Sequence, residues 1–552
     1  MYFWLKIYKM KILFGVLAII TLIGCQNEQK IKVDLLVTNA NVYTVDSTFS
    51  KAQAFAIKDG KFVAVGTTDE LNSKYTGQKT INASGKTILP GLIDAHCHFF
   101  RFGVSLQSVD LVGTKSYAEV LERVQKFQDE KSSEFIYGRG WDQNDWDDKN
   151  FPTKDKLDSL FPNIPVVLQR IDGHAFLVNQ QSLDLAGIDN STVVEGGEIV
   201  KENNQITGVL IDNPMDLINE IIPALTVDQS VQALKEAEQY CFNYGLTTVN
   251  DAGLDRSTIE LIDSLQQAGE LQMRVYAMVS ATPDNLNYYL NKGIVKTDML
   301  DVRSIKVYGD GALGSRGAAM RQPYSDRKGH YGAMVTPVDS IYSLAERIAK
   351  TDYQMNTHAI GDSANTVVLK AYTEALEGKS DRRWKVEHAQ IVSAEDFDYF
   401  DENILPSVQP THATSDMYWA QDRVGPSRIK GAYAYKKLLD ESGVIALGTD
   451  FPVEQVNPFY TFYAAVARKD LEHYPENGYQ MKDALSREET LRGMTIWAAY
   501  SNFEEDEKGS IESGKFADFI IMDQDIMTVE EDEIPNLKVD QTFLDGKRVD
   551  VK

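Results

Sequence analysis

The sequence predicts an α/β protein built around a (β/α)8 barrel of the TIM type. In its long middle part, apolar strand-like runs alternate with amphipathic runs, and each strand-like run ends in polar residues. Eight such strands are predicted: Ile88–His98, Thr247–Ala252, Met273–Val279, Ser304–Gly309, Gln354–His358, Lys385–His388, Leu405–Gln409 and Val444–Gly448. Because barrel active sites are built at the C-terminal strand ends, we expect these polar ends to meet at one site.

Three further regions accompany the predicted barrel, which takes residues 87–100 and 223–500. Residues 32–86 are valine-rich and punctuated by turns, and residues 501–552 return to this pattern, so β-sheet is predicted at both ends. Residues 101–222 are too many for one connection after the first barrel strand. They predict an inserted subdomain.

Composition narrows the function classes. The chain has 552 residues, of which 43% are hydrophobic, so it can bury a large core and is not disordered. The formal charge of −25 argues against a nucleic-acid-binding protein, which needs a basic surface. Three cysteines are too few for a disulfide scaffold.

Residues 1–24 predict an export signal. Three lysines precede the apolar run 12–20, which is too short for a spanning helix of about 20 apolar residues. Leu22-Ile23-Gly24-Cys25 resembles a bacterial lipobox, which implies a lipid anchor at Cys25; an uncleaved N-terminal anchor is the alternative. We therefore expect an exported lipoprotein that faces the periplasm or the cell surface and touches the membrane only through its anchor. Gln26 in place of aspartate favours the outer membrane where the cell has one.

The histidines carry the clearest chemical signal, since the chain has only eight. His96 and His98 are two apart at the end of a predicted strand, so both rings lie on one face and can reach one metal ion. His358, His388 and Asp450 lie at the ends of other predicted strands. Any one of these residues could simply cap its strand, but together, at matching ends, they predict a metal site.

These motifs resemble those of the amidohydrolase superfamily. The resemblance rests on Leu89-Pro90-Gly91-Leu92-Ile93-Asp94-Ala95-His96-Cys97-His98, on His358 and His388, and on Gly448-Thr449-Asp450. Amidohydrolase family 3, which includes N-substituted formamide deformylases, is the most similar branch. Its features are the run 302–316, Asp172-Gly173-His174 and the tail 509–518.

The resemblance implies an architecture and a ligand set. The β segments of the two chain ends would form one composite sandwich beside the barrel. The family's metal-site positions match His96, His98, His358, His388 and Asp450. Lys306 matches a lysine that is carboxylated and bridges two metals in binuclear relatives; the alternative is a cationic substrate contact in a one-metal site. Nitrogen and oxygen ligands without thiolate favour one or two Zn²⁺ ions, without excluding Mn²⁺ or Fe²⁺.

The mechanism that we expect is metal-assisted hydrolysis of a non-peptide, amide-type C–N bond in a small molecule. Asp450 acts as general base and then general acid toward the leaving nitrogen, and His388 is the second catalytic residue. The candidate substrate-binding residues are His174, Arg316, His412 and Trp141, with Trp141 as a wall of the pocket. A buried structural role is the alternative for His174, and a structural salt bridge is the alternative for Arg316.

Two other classes of function stay open. One is a different reaction on the same site, either deamination or cleavage of an ester or lactone. The other is a non-catalytic exported lipoprotein that binds a small molecule. The acidic run 504–507 is expected to be a solvated face, and the oligomeric state stays open, with a homodimer as one option.

Overall fold

Eight parallel strands surround the centre of the structure. The structure is a computed structural model, and it describes residues 29–143, 146–171, 175–194, 197–212, 214–314 and 316–549. The strands are β1 (Leu92–Cys97), β2 (Leu246–Leu254), β3 (Arg274–Ser280), β4 (Leu300–Tyr308), β5 (Gln354–Ala359), β6 (Trp384–His388), β7 (Ile404–Val408) and β8 (Ala446–Leu447). Each strand is hydrogen-bonded in parallel to the next one along the chain. The short strand Val295–Lys296 pairs antiparallel with β4.

The series closes where the chain after β8 meets β1. The Asp450 N–H donates to the His96 carbonyl oxygen at 2.8 Å. The Asp94 carboxylate accepts hydrogen bonds from the Thr449 backbone N–H at 3.1 Å and from its hydroxyl at 2.7 Å. Gly448 permits this close approach, because a Cβ atom there would lie 2.4 Å from the His96 backbone nitrogen. The predicted (β/α)8 barrel is confirmed.

Helices of the barrel follow or connect its strands. They are Phe99–Ser105, Val227–Asn243, Arg256–Gln267, Pro283–Lys292, Val338–Ala349, Asp362–Ala375, Pro410–Asp416, Ala420–Arg428, Tyr435–Ser442, Pro458–Val466, Arg487–Gly493 and Ile496–Ser501, with 3-10 turns at Phe397–Tyr399, Ile429–Gly431 and Met481–Asp483. Val227–Asn243 illustrates why they form, since a capping box of Thr226 and Gln229 starts it. Its buried face includes Leu234 and Cys241.

The two chain ends form one sandwich of two sheets. The first sheet has the order Lys61–Gly66, Ala54–Lys58, Ile31–Thr38 and Tyr75–Asn82, and the second has Lys547–Arg548, Val539–Leu544, Phe519–Met522, Thr87–Pro90, Asn41–Tyr43 and Lys51–Ala52. The C-terminal strand Phe519–Met522 pairs antiparallel with Thr87–Pro90. Phe55 of the first sheet packs edge-on against Phe519 of the second, with ring centroids 5.0 Å apart. This confirms the composite sandwich; helix Thr68–Lys74 and 3-10 turn Glu531–Asn536 complete the two ends.

The predicted first barrel strand, Ile88–His98, is two strands. Thr87–Pro90 belongs to the sandwich, and β1 begins at Leu92. Both pieces are apolar because both are buried, so hydrophobicity does not separate them. The break falls at Gly91, whose N–H donates to the Asp518 carbonyl at 2.9 Å.

An inserted subdomain follows β1, as predicted. Its mixed sheet contains Val109–Asp110, Ile136–Trp141, Val166–Arg170, Ala175–Val178, Gly197–Glu202 and Gln205–Asp212, and its helices are Tyr117–Lys131, Asp155–Leu160, Gln180–Leu185 and Met215–Asn219. The sheet has an apolar core on each face. Leu168 and Val124 lie in one core and Val167 and Phe176 in the other.

One acidic run differs from its predicted solvated face. Glu504 is buried, and its Oε1 lies 2.6 Å from Lys296 Nζ and 2.9 Å from Lys508 Nζ. A buried carboxylate needs such partners, because burial without them is costly.

Residues 1–24 and Cys25 lie outside the described residues. Among the helices that the structure does describe, none combines the length and the apolar composition needed to cross a membrane.

Candidate active site

The metal-site candidates converge at the C-terminal ends of the barrel strands. A cavity of about 360 Å³ opens there. It is lined by His98, Lys306, His358, His388 and Asp450, among others. His96 is fully buried beside them, with its Nε2 atom 3.7 Å from Asp450 Oδ1.

His96 is held by a buried carboxylate. Its Nδ1–H donates to Glu387 Oε2 at 2.6 Å, which leaves the Nε2 lone pair free for another partner. The Nε2 atom faces Lys306 Nζ at 3.2 Å. Burial lowers the pKa of His96, and the neighbouring Lys306 charge lowers it further. The imidazole is therefore poised as a neutral ligand.

His98 and Asp450 face one another at the mouth. The His98 Nδ1–H donates to the Ala252 carbonyl at 2.9 Å, which places the lone pair of an imidazole on Nε2. That atom lies 3.3 Å from Asp450 Oδ1. Within the described part of the chain, Asp450 Oδ1 has no hydrogen-bond partner. Two acceptors that face each other at this distance leave room for a cation between them.

His388 reaches the cluster through an unusual backbone conformation. Glu387 already faces the interior, so a regular strand would turn His388 outward. His388 instead has φ of 73°, a strained value for a bulky residue that occurs at functional sites. Its Nδ1 donates to Gln409 Oε1 at 2.7 Å, and its ring lies 4.5 Å, centroid to centroid, from His358.

The ring of His358 joins the cluster, but its Nε2 atom points toward a second carboxylate. Nε2 lies 3.6 Å from Asp310 Oδ1 and has no hydrogen-bond partner among the described residues. Burial, aided by the Lys306 charge, lowers the pKa of His358 to about 3. The ring is therefore neutral.

His412 bridges two carboxylates on the opposite side of Asp450. Its Nε2 lies 3.2 Å from Asp450 Oδ2, and its Nδ1 lies 3.1 Å from Glu454 Oε1. Burial alone would lower the pKa of His412, but the hydrogen bonds to Asp450 and Glu454 raise it well above its usual value. Burial would raise the pKa of Asp450, whereas the hydrogen bond from His412 holds it well below its usual value.

Two groups of side chains could each hold a metal ion. One is His96, His98 and Asp450, and the other is His388, His412 and Asp450. In each group the donor atoms lie within 4.8 Å of one another. The orphaned Asp450 Oδ1 and the free Nε2 lone pairs fit a divalent cation bound by nitrogen and oxygen donors.

The predicted substrate residues fall in different places. His412 lines the cavity. Arg316 lies outside its lining and forms an ion pair with Asp326, at 2.7 Å for the shorter contact, which matches the salt-bridge alternative. His174 lies outside the described residues.

The prediction that Trp141 walls the pocket is wrong. Its side chain is fully buried in the core of the inserted subdomain. The indole Nε1–H donates to the Leu168 carbonyl at 2.8 Å, and the ring packs 6.1 Å from Trp146. An aromatic residue at a strand end can point to either side, and this one points into the core.

Sequence reasoning missed Glu387 and Gln409, which orient His96 and His388. Glu387 is a fully buried carboxylate inside β6, and Gln409 directly follows β7. A charged residue within an apolar parallel strand is the signal that could have identified Glu387, because such a group must be paired. Gln409 has no comparable signal.

The comparisons with known proteins agree with this geometry. The profile described as "Amidohydrolase family" matches residues 79–550. The chain belongs to the amidohydrolase family. This amidohydrolase is 28% identical to an uncharacterized metal-dependent hydrolase from Pyrococcus furiosus, whose crystal structure it matches with a TM-score of 0.75 over 90% of this chain and all of that one.

Two sequence relatives extend the similarity over most of the chain. "Protein LONG AFTER FAR-RED 3" of Arabidopsis thaliana is 31% identical over 89% of this chain and 87% of its own. The N-substituted formamide deformylase of Arthrobacter pascens is 27% identical over 93% of this chain and 97% of its own. The protein is thus a metal-dependent hydrolase of the amidohydrolase type, and a small molecule is its expected class of substrate.

Proposed function

We propose that this amidohydrolase cleaves an amide-type, non-peptide C–N bond of a small molecule. The observation that carries the proposal is the facing pair of His98 Nε2 and Asp450 Oδ1, two acceptors 3.3 Å apart at the cavity. The similarity to a formamide deformylase supports the choice of bond.

Asp450 is the proposed general base and acid. It lines the cavity, and its two oxygens face different partners, His98 through Oδ1 and His412 through Oδ2. Asp450 takes a proton from the attacking water and passes it to the leaving nitrogen. Two histidines line the other side of the cavity, next to the reacting carbonyl. They are His388, which Gln409 orients, and His412, which Glu454 orients.

Zn²⁺ is the proposed cation, held by His96, His98 and Asp450 and by the neighbouring pair His358 and His388. When bound, a zinc ion supplies Lewis acidity, which lowers the pKa of water to about 7 and polarises a carbonyl group. The neutral imidazoles and the carboxylate are the donor types that zinc prefers.

Lys306 is the proposed site of a carbamate. Its ammonium lies 3.2 Å from His96 Nε2, where a positive charge opposes a divalent cation at the same nitrogen. Addition of CO₂ to the neutral amine forms an N–C bond and releases one proton, so that the group becomes an anion. The full burial of Lys306 beside Asp450 and His96 supports this change of charge.

Metal content is the first test. We expect about two zinc ions per chain in protein expressed from residue 26 in zinc-supplemented medium, and about one in Lys306→Ala. About one ion per chain in the wild type would still support the hydrolase but would contradict a carbamate on Lys306 that bridges two ions. Well-folded protein without bound metal would contradict the proposal and favour a binding lipoprotein.

Turnover is the second test. A panel of N-formyl amines, N-acyl amino acids, purine and pyrimidine amines, esters and lactones separates amide cleavage from deamination and ester hydrolysis. Asp450→Asn is expected to lower kcat per bound metal ion by about 10²–10⁴-fold, with the metal content of the variant measured in parallel because Asp450 is also a candidate ligand. Asp398→Asn, an exposed aspartate that is not among the cavity-lining residues, is the matched control.

Export as a lipoprotein anchored at Cys25 is a separate proposal. Its support is the lipobox-like Leu22-Ile23-Gly24-Cys25 after a basic and an apolar segment. We expect the full-length protein to incorporate labelled fatty acid and to fractionate with membranes. Cys25→Ser should lose the label, and an unchanged label would contradict the proposal.

A further inference from the structure

A second cavity adjoins the catalytic one. It has a volume of about 320 Å³. The two cavities share three lining residues, namely His98, Arg101 and Tyr308. A substrate whose scissile bond lies in the catalytic cavity can therefore extend past Arg101 and Tyr308 into the second one.

Arg101 and Tyr308 offer free hydrogen-bond donors at this junction. The Arg101 side chain is exposed, and among the described residues it has neither an ion pair nor a hydrogen-bond partner. Tyr308 is 43% exposed, and its hydroxyl likewise has no partner in the described part of the chain.

Apart from Asp450, whose Oδ1 faces His98, the acidic side chains that line the two cavities already have partners. Asp416 accepts hydrogen bonds from Gln390 at 2.9 Å and from Tyr433 at 2.8 Å. Glu454 contacts His412 and accepts from the Ser415 hydroxyl at 2.7 Å.

Asp251, in the second cavity, accepts from the Phe100 N–H at 3.0 Å. Of the three residues that the two cavities share, Arg101 therefore carries a positive charge that has no partner among the described residues. This leaves a carboxylate of the substrate as its natural partner.

The remaining wall of the second cavity is mainly apolar. Phe100, Val104, Leu225 and Leu254 contribute to it. Leu225 is 40% exposed, so apolar surface is available to a ligand.

We propose that Arg101 and Tyr308 bind a carboxylate of the substrate, whose apolar part occupies the second cavity. A guanidinium pairs with a carboxylate through two parallel N–H···O bonds. One guanidinium between several carboxylates suits a monoanion better than a phosphate dianion. This inference rests on the proposed function, and its substrate class is an amide of an apolar compound that carries a carboxylate.

Binding tests the inference independently of turnover. In calorimetric titrations of the zinc-loaded protein, 3-phenylpropanoate should bind at least tenfold more tightly than 3-phenylpropan-1-ol. Arg101→Gln should remove most of this difference, and Tyr308→Phe should reduce it severalfold. Arg327→Gln, which changes an exposed arginine that is not among the lining residues of either cavity, should leave it intact.

Three results would overturn the inference. The first is equal affinity for the acid and the alcohol. The second is an affinity for the acid that is the same in the wild type and in Arg101→Gln, as expected if the acid binds through the metal alone. The third is Arg101-dependent binding of inorganic phosphate that is tighter than binding of the acid.

Turnover separates this inference from the proposed function. With N-formylphenylalanine and N-formylphenethylamine, the wild type should prefer the acid in kcat/KM by about 10–100-fold, and Arg101→Gln should lose the preference. Hydrolysis of N-formylphenethylamine without hydrolysis of N-formylphenylalanine would overturn the inference but would still support the proposed hydrolase. Arg101-dependent binding of 3-phenylpropanoate without hydrolysis of any amide would keep the anion site and contradict the proposed function.

Discussion

The Nε2 atom of His98 and the Oδ1 atom of Asp450 face each other at 3.3 Å, while the Nδ1–H of His98 donates to the Ala252 carbonyl oxygen. The two facing atoms are both acceptors, so a bound cation would stabilise the pair.

His98→Ala should therefore lower metal content and metal-dependent stability. A ligand at about 100 times its Kd stabilises the folded state by about 2.7 kcal/mol. Zinc should therefore raise the Tm of the wild type, and it should raise the Tm of the variant much less. Plasma emission spectroscopy and thermal unfolding check this. His473→Ala changes a histidine that is hydrogen-bonded to Tyr463 and is not among the cavity-lining residues, and it should behave as the wild type. Equal zinc content in both variants would contradict the metal site.

Glu387→Gln should weaken metal binding without removing any ligand. Glu387 orients His96 through the 2.6 Å contact to Nδ1. Loss of such an outer contact typically lowers metal affinity by about 10–100-fold. Competition with a zinc chelator measures the change. Glu377→Gln, an exposed glutamate, is the control, and an unchanged affinity in Glu387→Gln would argue against His96 as a ligand.

Trp141→Ala should destabilise the protein by about 3–5 kcal/mol, because it opens a cavity in a packed core. Trp141→Phe should cost less, with about 1 kcal/mol for the lost hydrogen bond to the Leu168 carbonyl. Urea unfolding measures both. Zinc content should stay at the wild-type value in the folded state of each variant. A normal stability combined with altered substrate KM would restore Trp141 as a pocket wall.

Glu504→Gln should destabilise the protein in a pH-dependent manner. Burial alone would raise the pKa of Glu504, but Lys508 and Lys296 lower it from 4.5 to about 2. The stabilising contribution of the carboxylate is therefore complete above about pH 4.5 and is lost as the pH falls toward 2.

Breaking a buried ion pair costs about 3–5 kcal/mol. The difference in unfolding free energy between the wild type and Glu504→Gln should thus be constant above pH 5 and shrink below it. Asp506→Asn, an exposed neighbour, should show no such difference. A pH-independent difference would contradict the role of the charge.

Much of the candidate site could be predicted because strand ends of a parallel barrel share one rim. His96, His98, His388 and Asp450 all follow apolar runs, and the structure brings them together. Glu387 could not be paired with His96 in the same way, since 291 residues separate them in sequence. The face to which Trp141 points depends on packing within the inserted subdomain, which a pattern of residue types does not contain.

The sequence by itself determined the barrel, the β-structured ends and the set of residues able to bind a metal ion, because local periodicity and residue chemistry are written along the chain. Only the tertiary structure decided the partners: Glu387 for His96, Gln409 for His388, and Glu454 for His412. It also placed Arg101 between two cavities, without a partner in the described part of the chain. The physical reason is that hydrogen bonds and charges act over a few ångströms in space, and strand register and the left-handed turn at His388 set those distances.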